Sequence, residues 1–191
     1  MTVYTVDLRR VIDMQDDQFY ELCRTNPDIK FERNSRGDLV IMSPTGGETG
    51  NRNIEVSVDF GNWNRQAKLG KLFDSSTGFK LPGGGTRSPD IAWVRQDRWD
   101  ALTAEQKEKF PPIAPDFILE LMSPSDSLSD LQAKMREYLD SGVRLGWLID
   151  RLSRQVEIYR QGEAVETVEN PVTLSGEAVL PGFELEMAIV W

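Results

Sequence analysis

Apolar residues recur along this chain with two different periods. A spacing of three to four marks helices, while alternation or a short unbroken apolar run marks strands. In "DMQDDQFYELCRTNPD", Phe19, Leu22 and Cys23 lie at helical spacing behind an acidic start, and Pro27 ends the run. "IKFERNSRGDLVIMSP" has two apolar, β-favouring halves that meet at Asn34-Ser35-Arg36-Gly37-Asp38, which predicts a hairpin. A long helix is expected from Glu48 to Lys68, with Ser43 or Thr45 as its cap and Gly70 as its stop. "KLFDSSTGFKLP" predicts two short strands, "GGGTRS" a loop and "PDIAWVR" a strand. "TAEQKEKF" predicts a short helix capped by Thr103. The strand "DFILELM", the loop "SPSDSLS" and the helix "DLQAKMREYLDSG" follow, with Gly142 closing that helix. "LGWLID" and "QVEIYR" are further strands, and the remainder reads as short strands ending at "FELEMAIVW". Strands interleaved with three or four helices predict an α/β or α+β class with a mixed sheet.

Composition narrows the function classes. The 191 residues suffice for one domain with a substantial core, and no repeat or low-complexity tract divides them. No apolar run approaches the roughly 18 to 20 residues of a membrane helix. The start "MTVYTVDLRR" lacks the basic-then-apolar order of a signal peptide, and Cys23 is the single cysteine. These features lead to the expectation of a cytoplasmic protein without a membrane partner. Histidine is absent, which removes Ser-His triads and the usual zinc sites. Any metal would be a hard cation held by oxygens, such as Mg²⁺ or Mn²⁺. The net charge of −9 disfavours a nucleic-acid binder unless local charge or metal ions offset it.

One carboxylate stands out. Side chains alternate along a strand, so Phe117, Leu119 and Leu121 share one face of "FILELM" while Ile118, Glu120 and Met122 share the other. Both faces are apolar except at Glu120, which implies a strand covered on both sides. A buried carboxylate needs a partner. An Arg or backbone donors could serve, and so could a metal ion. Asp90 opens the strand "PDIAWV" directly after Pro89, where it could simply satisfy turn amides. If the two strands pair, Asp90 and Glu120 can converge on one cation. Asp116 competes poorly, because four strand residues separate it from Glu120, about 13 Å at ~3.3 Å each. Lys134 and Tyr138 share a face of the following helix and could lean back over the carboxylates. Glu48 and Glu55, two turns apart on the long helix, could each add an acid, or could both be surface residues.

Pro89-Asp90 followed by Glu120 in a hydrophobic strand resembles the PD-(D/E)XK nuclease superfamily, which has the restriction-endonuclease-like fold. The chain is more closely similar to one branch, the Uma-two family. The matching segments are "SPTGGETGNRN", "TRSPDIAWV", "PDFILELMSPSDSLSDLQAKMREYLDSGVRLGWLID", "VEIYR" and "LPGFELEM". The resemblance implies a single α/β domain: an N-terminal helix and hairpin over 1-45, a nuclease core over 46-160 and C-terminal strands over 161-191. It implies that Asp90 and Glu120 bind the metal, that Glu48 or else Glu55 is the helix acid, and that Lys134 is a migrated lysine supported by Tyr138. Two departures accompany it. Met122 stands where the superfamily has its lysine, and Thr49 where many relatives have a His.

The implied activity is Mg²⁺- or Mn²⁺-dependent cleavage of DNA phosphodiesters, with Arg52, Lys80, Arg87 and Arg136 as candidate contacts to the DNA backbone. A nuclease fold without cleavage activity, acting as a binding module, is the alternative. So is a protein in which both acids are structural. Cutting both strands of a duplex implies a homodimer.

Overall fold

The computed structural model describes residues 3–8 and 10–191. Along the chain come β1 (Val3–Val6), α1 (Asp16–Thr25), β2 (Lys30–Arg33), β3 (Leu39–Met42), α2 (Gly47–Ala67) and β4 (Gly70–Asp74). Next are β5 (Phe79–Lys80), β6 (Thr86–Arg87), β7 (Ile91–Arg95), α3 (Gln96–Asp100), α4 (Ala104–Glu108) and β8 (Phe117–Met122). Then follow α5 (Leu128–Asp140), β9 (Leu145–Asp150), β10 (Gln155–Arg160), β11 (Glu166–Glu169), β12 (Thr173–Ser175) and β13 (Glu184–Glu186), with a last 3₁₀ turn at Met187–Ile189. The expected mixed α/β architecture is present.

The central sheet runs β11-β10-β9-β8-β7-β4. Its one parallel pair is β8 with β9, and α5 supplies the crossover that a parallel connection needs. A second sheet, β1-β3-β2-β6-β5, is built mainly from the N-terminal hairpin. The central sheet is buried on both faces, as the unbroken apolar runs of β8 and β9 require. Trp93, Phe117, Leu119 and Trp147 pack with Val56 and Phe60 of α2 and with Phe183. Ala92, Ile118 and Leu148 pack on the other side against Met135 and Tyr138 of α5. Gly146 on β9 allows that seat, since a Cβ there would lie 2.8 Å from the Met135 methyl carbon and 3.1 Å from Ile118.

Local differences from the sequence pattern have physical reasons. The hairpin is as expected, with Arg33 paired to Leu39 around the loop 34–38. Helix α2 starts behind Gly46 without a side-chain cap, and the buried Thr45 hydroxyl has no hydrogen-bond partner among the described residues. It ends at Lys68, which adopts the left-handed conformation at φ 56°. Gly70 does not stop it. Gly70 instead opens β4, where a Cβ would come within 2.3 Å of the Val94 carbonyl oxygen and 2.5 Å of the Trp93 ring. "GGGTRS", expected as loop, contains β6. Thr103 caps α4 through a capping box with Gln106. Strand β1 and helix α3 had no clear pattern in the sequence. Among the described residues no helix is long and apolar enough to cross a membrane.

Candidate active site

The antiparallel register of β7 and β8 pairs Ile91 with Leu119 and Ala92 with Ile118. Carried one residue further, it sets Asp90 across from Glu120. Side chains directly opposite in such a pair have Cβ atoms roughly 4.5–5.5 Å apart. The Leu121 amide locks the arrangement by donating to Asp90 Oδ2 at 2.9 Å. Strand alternation turns both carboxylates toward α5, the face they share with Ala92 and Ile118. The strands therefore pair, which is the condition set for Asp90 and Glu120 to share one cation.

Helix α5 completes the cluster. Lys134 Nζ lies 2.8 Å from Glu120 Oε1. One turn on, the Tyr138 hydroxyl donates to the same oxygen at 2.9 Å. The sequence suggested Tyr138 as a prop for Lys134. Its ring does lie under the ammonium at 5.9 Å, while its hydroxyl serves Glu120. A third acid meets them. Glu32 of β2 takes Lys134 Nζ at 3.1 Å, the Ser88 amide at 3.0 Å and Arg87 Nη1 at 2.9 Å. Arg87 Nη2 in turn donates to Glu137 at 2.7 Å. Sequence reasoning missed Glu32 because "KFER" alternates charge with Phe31 and so reads as an ordinary solvated strand face. Nothing local marks it as 1% exposed.

Four carboxylates, Glu32, Asp90, Glu120 and Glu137, thus meet two cations, Lys134 and Arg87. Burial raises the Asp90 pKa, and the Leu121 amide only partly opposes it. Burial also pushes Glu120 up, with Asp90 and Glu32 adding to the effect against Lys134, to about 7. Glu32 behaves oppositely. Burial disfavours its charge, yet Lys134 and Arg87 outweigh that and bring it down to about 2. Lys134 likewise overcomes its burial, because Glu120 and Glu32 hold its pKa above the usual value. The cluster therefore has an excess of acid over base that protons or a cation must balance.

The donor set suits a hard divalent cation. Asp90 Oδ1 has only a long contact from Asn53 Nδ2 at 3.4 Å, and no hydrogen bond reaches Glu120 Oε2 among the described residues. Glu120 thus keeps one oxygen without a hydrogen bond among the described residues, and the contact on Asp90 Oδ1 is a long one. Among the described residues no group of three or more Asp, Glu, Cys or His side chains could hold a metal ion. Two carboxylates are nonetheless in keeping with Mg²⁺, which retains waters and takes one or two acids together with substrate phosphates.

The other expected residues are placed differently. Glu48 is exposed and lies 3.8 Å from Arg52, while Glu55 is exposed. Neither lines the cavity of about 580 Å³ at the cluster. Thr49 and Asn53 of the same helix do. Lys80 is ion-paired with Asp16 in a separate depression. Arg87 does line the cavity, but it is buried and committed to Glu32 and Glu137. Arg136, exposed, and Lys30, half-buried, line the cavity with no ion pair among the described residues. Asp116 is buried directly before β8, accepts from the Arg95 amide and pairs with Arg98 at 2.9 Å.

Residues 16–188 match the Uma2 (Uma-two) family, whose description is "putative restriction endonuclease". The chain belongs to the Uma2 family. No curated protein matches it. A similar solved structure is a crystal structure described as a putative nuclease belonging to DUF820, from Anabaena variabilis. It covers 91% of this chain and 95% of its own length at 21% identity, with a TM-score of 0.77. That likeness establishes a shared fold for this Uma2 chain. Within the fold, Met122 lies two residues after Glu120, and the ammonium beside Glu120 is that of Lys134 from α5.

Proposed function

We propose that this Uma2-family chain is a divalent-metal-dependent endonuclease that hydrolyses DNA phosphodiester bonds, with Asp90, Glu120 and Lys134 at its centre. The supporting observation is the placing of half-buried Asp90 opposite buried Glu120 on adjacent strands, with a lysine ammonium 2.8 Å from Glu120. Asp90 and Glu120 would hold Mg²⁺ or Mn²⁺, and such an ion, when bound, neutralises charge on the scissile phosphate and lowers the pKa of a neighbouring water. Lys134 donates to the attacking water, orients it and offsets the negative charge that grows as its proton leaves. Tyr138 fixes Glu120 Oε1. Lys30 and Arg136 contact the phosphates on either side, a role that positions the chain without reading sequence. The two strands of a duplex are cut by two copies of this site, so the working form is a homodimer. A light-scattering mass equal to one chain at working concentrations would remove that last element.

The test is cleavage of plasmid and single-stranded DNA in Mg²⁺ or Mn²⁺. Asp90→Asn, Glu120→Gln and Lys134→Ala each lower the rate by about 10²–10⁴. Cutting that persists at the wild-type rate in both carboxylate variants overturns the assignment. The exposure of Glu48, away from the cluster, favours one other reading: a nuclease fold that binds nucleic acid or protein without cutting. DNA binding with no cleavage in any divalent metal would select it.

A further inference from the structure

Glu32 has no part in the reaction just described, yet it sits in the middle of the cluster. Both of its oxygens are engaged. Oε1 accepts from the Ser88 amide at 3.0 Å and from Lys134 at 3.1 Å, and Oε2 accepts from Arg87 at 2.9 Å. Glu120 Oε2 accepts no hydrogen bond among the described residues, and Asp90 Oδ1 accepts only a long one from Asn53 at 3.4 Å. Of these three carboxylates Glu32 is the most firmly held, with both oxygens in short hydrogen bonds.

Lys134 stands between Glu32 and Glu120. An ammonium has three donors and no acceptor, so it can serve two carboxylates at once. It lies 2.8 Å from Glu120 and 3.1 Å from Glu32. Once Glu120 gives its charge to a cation, its hold on the ammonium weakens. Glu32 is then the other anion bonded to Lys134. Its own position is fixed from three directions: β2 carries it, Ser88 lies two residues before Asp90, and Arg87 ties it to Glu137, one turn past Lys134 on α5.

We propose that Glu32 is a positioning residue that holds the Lys134 ammonium at the reaction centre and so leaves Glu120 free for a divalent cation. The proposal rests on the nuclease reading. It gives the N-terminal sheet a part in the chemistry, because β2 carries this carboxylate to the Lys134 ammonium. Without it the ammonium settles on Glu120 alone and competes with the cation.

The test combines kinetics with calorimetry. Groups that orient a metal ligand or its partner cost about 10- to 100-fold in affinity or activity when replaced. Glu32→Gln is expected to lower kcat by that amount while KM for DNA stays within about twofold, since Glu32 touches no substrate. Mn²⁺ binding to the DNA-free protein is expected to weaken by about tenfold in Glu32→Gln, but by less than about threefold when the same change is made on Lys134→Ala. Equal weakening in both backgrounds assigns Glu32 to long-range charge alone and overturns the proposal. So does a Glu32→Gln chain that cuts with the wild-type kcat, an outcome that leaves the nuclease reading intact. A wild-type chain that cuts no DNA overturns the nuclease reading instead, and this shows before any variant is made. If Glu32→Gln does not fold, Glu32→Asp replaces it. Its carboxylate is drawn back by one methylene from Lys134, and the same kinetic and calorimetric outcomes apply.

Discussion

Glu120 and Glu32 lie on either side of one ammonium and respond to pH with opposite signs. Glu120 moves from an ordinary 4.5 up to about 7 in the folded chain. Between those values the native state holds a proton that the unfolded chain has released. Its contribution to stability is complete below about pH 4.5 and is lost as pH rises through 7. Glu32 moves down to about 2, so its contribution is present above 4.5 and is lost as pH falls through 2. Urea denaturation in EDTA is therefore expected to show stability falling between pH 5 and 7, and Glu120→Gln removes most of that slope. An unchanged slope in the variant would contradict the burial argument. Added Mn²⁺ should restore stability at pH 7, because a cation favours the ionised carboxylate. At this scale the sequence exposed Glu120 well, because a lone acid breaks an otherwise apolar strand. Glu32 was hidden, because charged residues alternate around it.

The helices and strands follow their local patterns closely, and the exceptions arise where one segment meets another. Helix α2 could have been expected to end on glycine. It ends on Lys68 at φ 56°, a conformation that costs a residue with a Cβ roughly 1–2 kcal/mol. Lys68→Gly is expected to stabilise the protein by about 1 kcal/mol, read from the shift in a denaturation midpoint. Gly70 two residues later carries the opposite expectation. A methyl group there meets the Val94 carbonyl and the Trp93 ring, so Gly70→Ala destabilises by about 1–3 kcal/mol. If Gly70→Ala proved neutral, the close approach of β4 to β7 would be wrong. The pattern placed the helix end at Lys68 and gave the stop to Gly70, whereas Lys68 makes the left-handed turn and Gly70 the close contact. Whether a glycine is there for its φ or for its missing side chain depends on what packs against it.

For the whole molecule, the net charge of −9 and a phosphate substrate pull in opposite directions. Much of the conflict is local, since unbalanced acids crowd the cluster that would take the cation. The Lys134→Ala chain, with both carboxylates kept, is expected to bind a labelled oligonucleotide about tenfold more tightly in Mn²⁺ than in EDTA, measured by fluorescence anisotropy. Equal binding in the two buffers would separate DNA recognition from the metal. The sequence by itself determined a mixed α/β or α+β class, the two-sided burial of β8, the helix after it and the candidates Asp90, Glu120 and Lys134. The elements and Glu120 follow from alternation, helical spacing and the cost of burying a lone charge, while Asp90 and Lys134 were singled out by the resemblance to the Uma-two family. The tertiary structure decided the rest. It brought in Glu32 from a separate sheet, turned the Tyr138 hydroxyl to Glu120, buried Arg87 in ion pairs and left Glu48 at the surface. A carboxylate 102 positions from its lysine acquires its role only from the packing of the N-terminal hairpin against α5, and no local spacing records that contact.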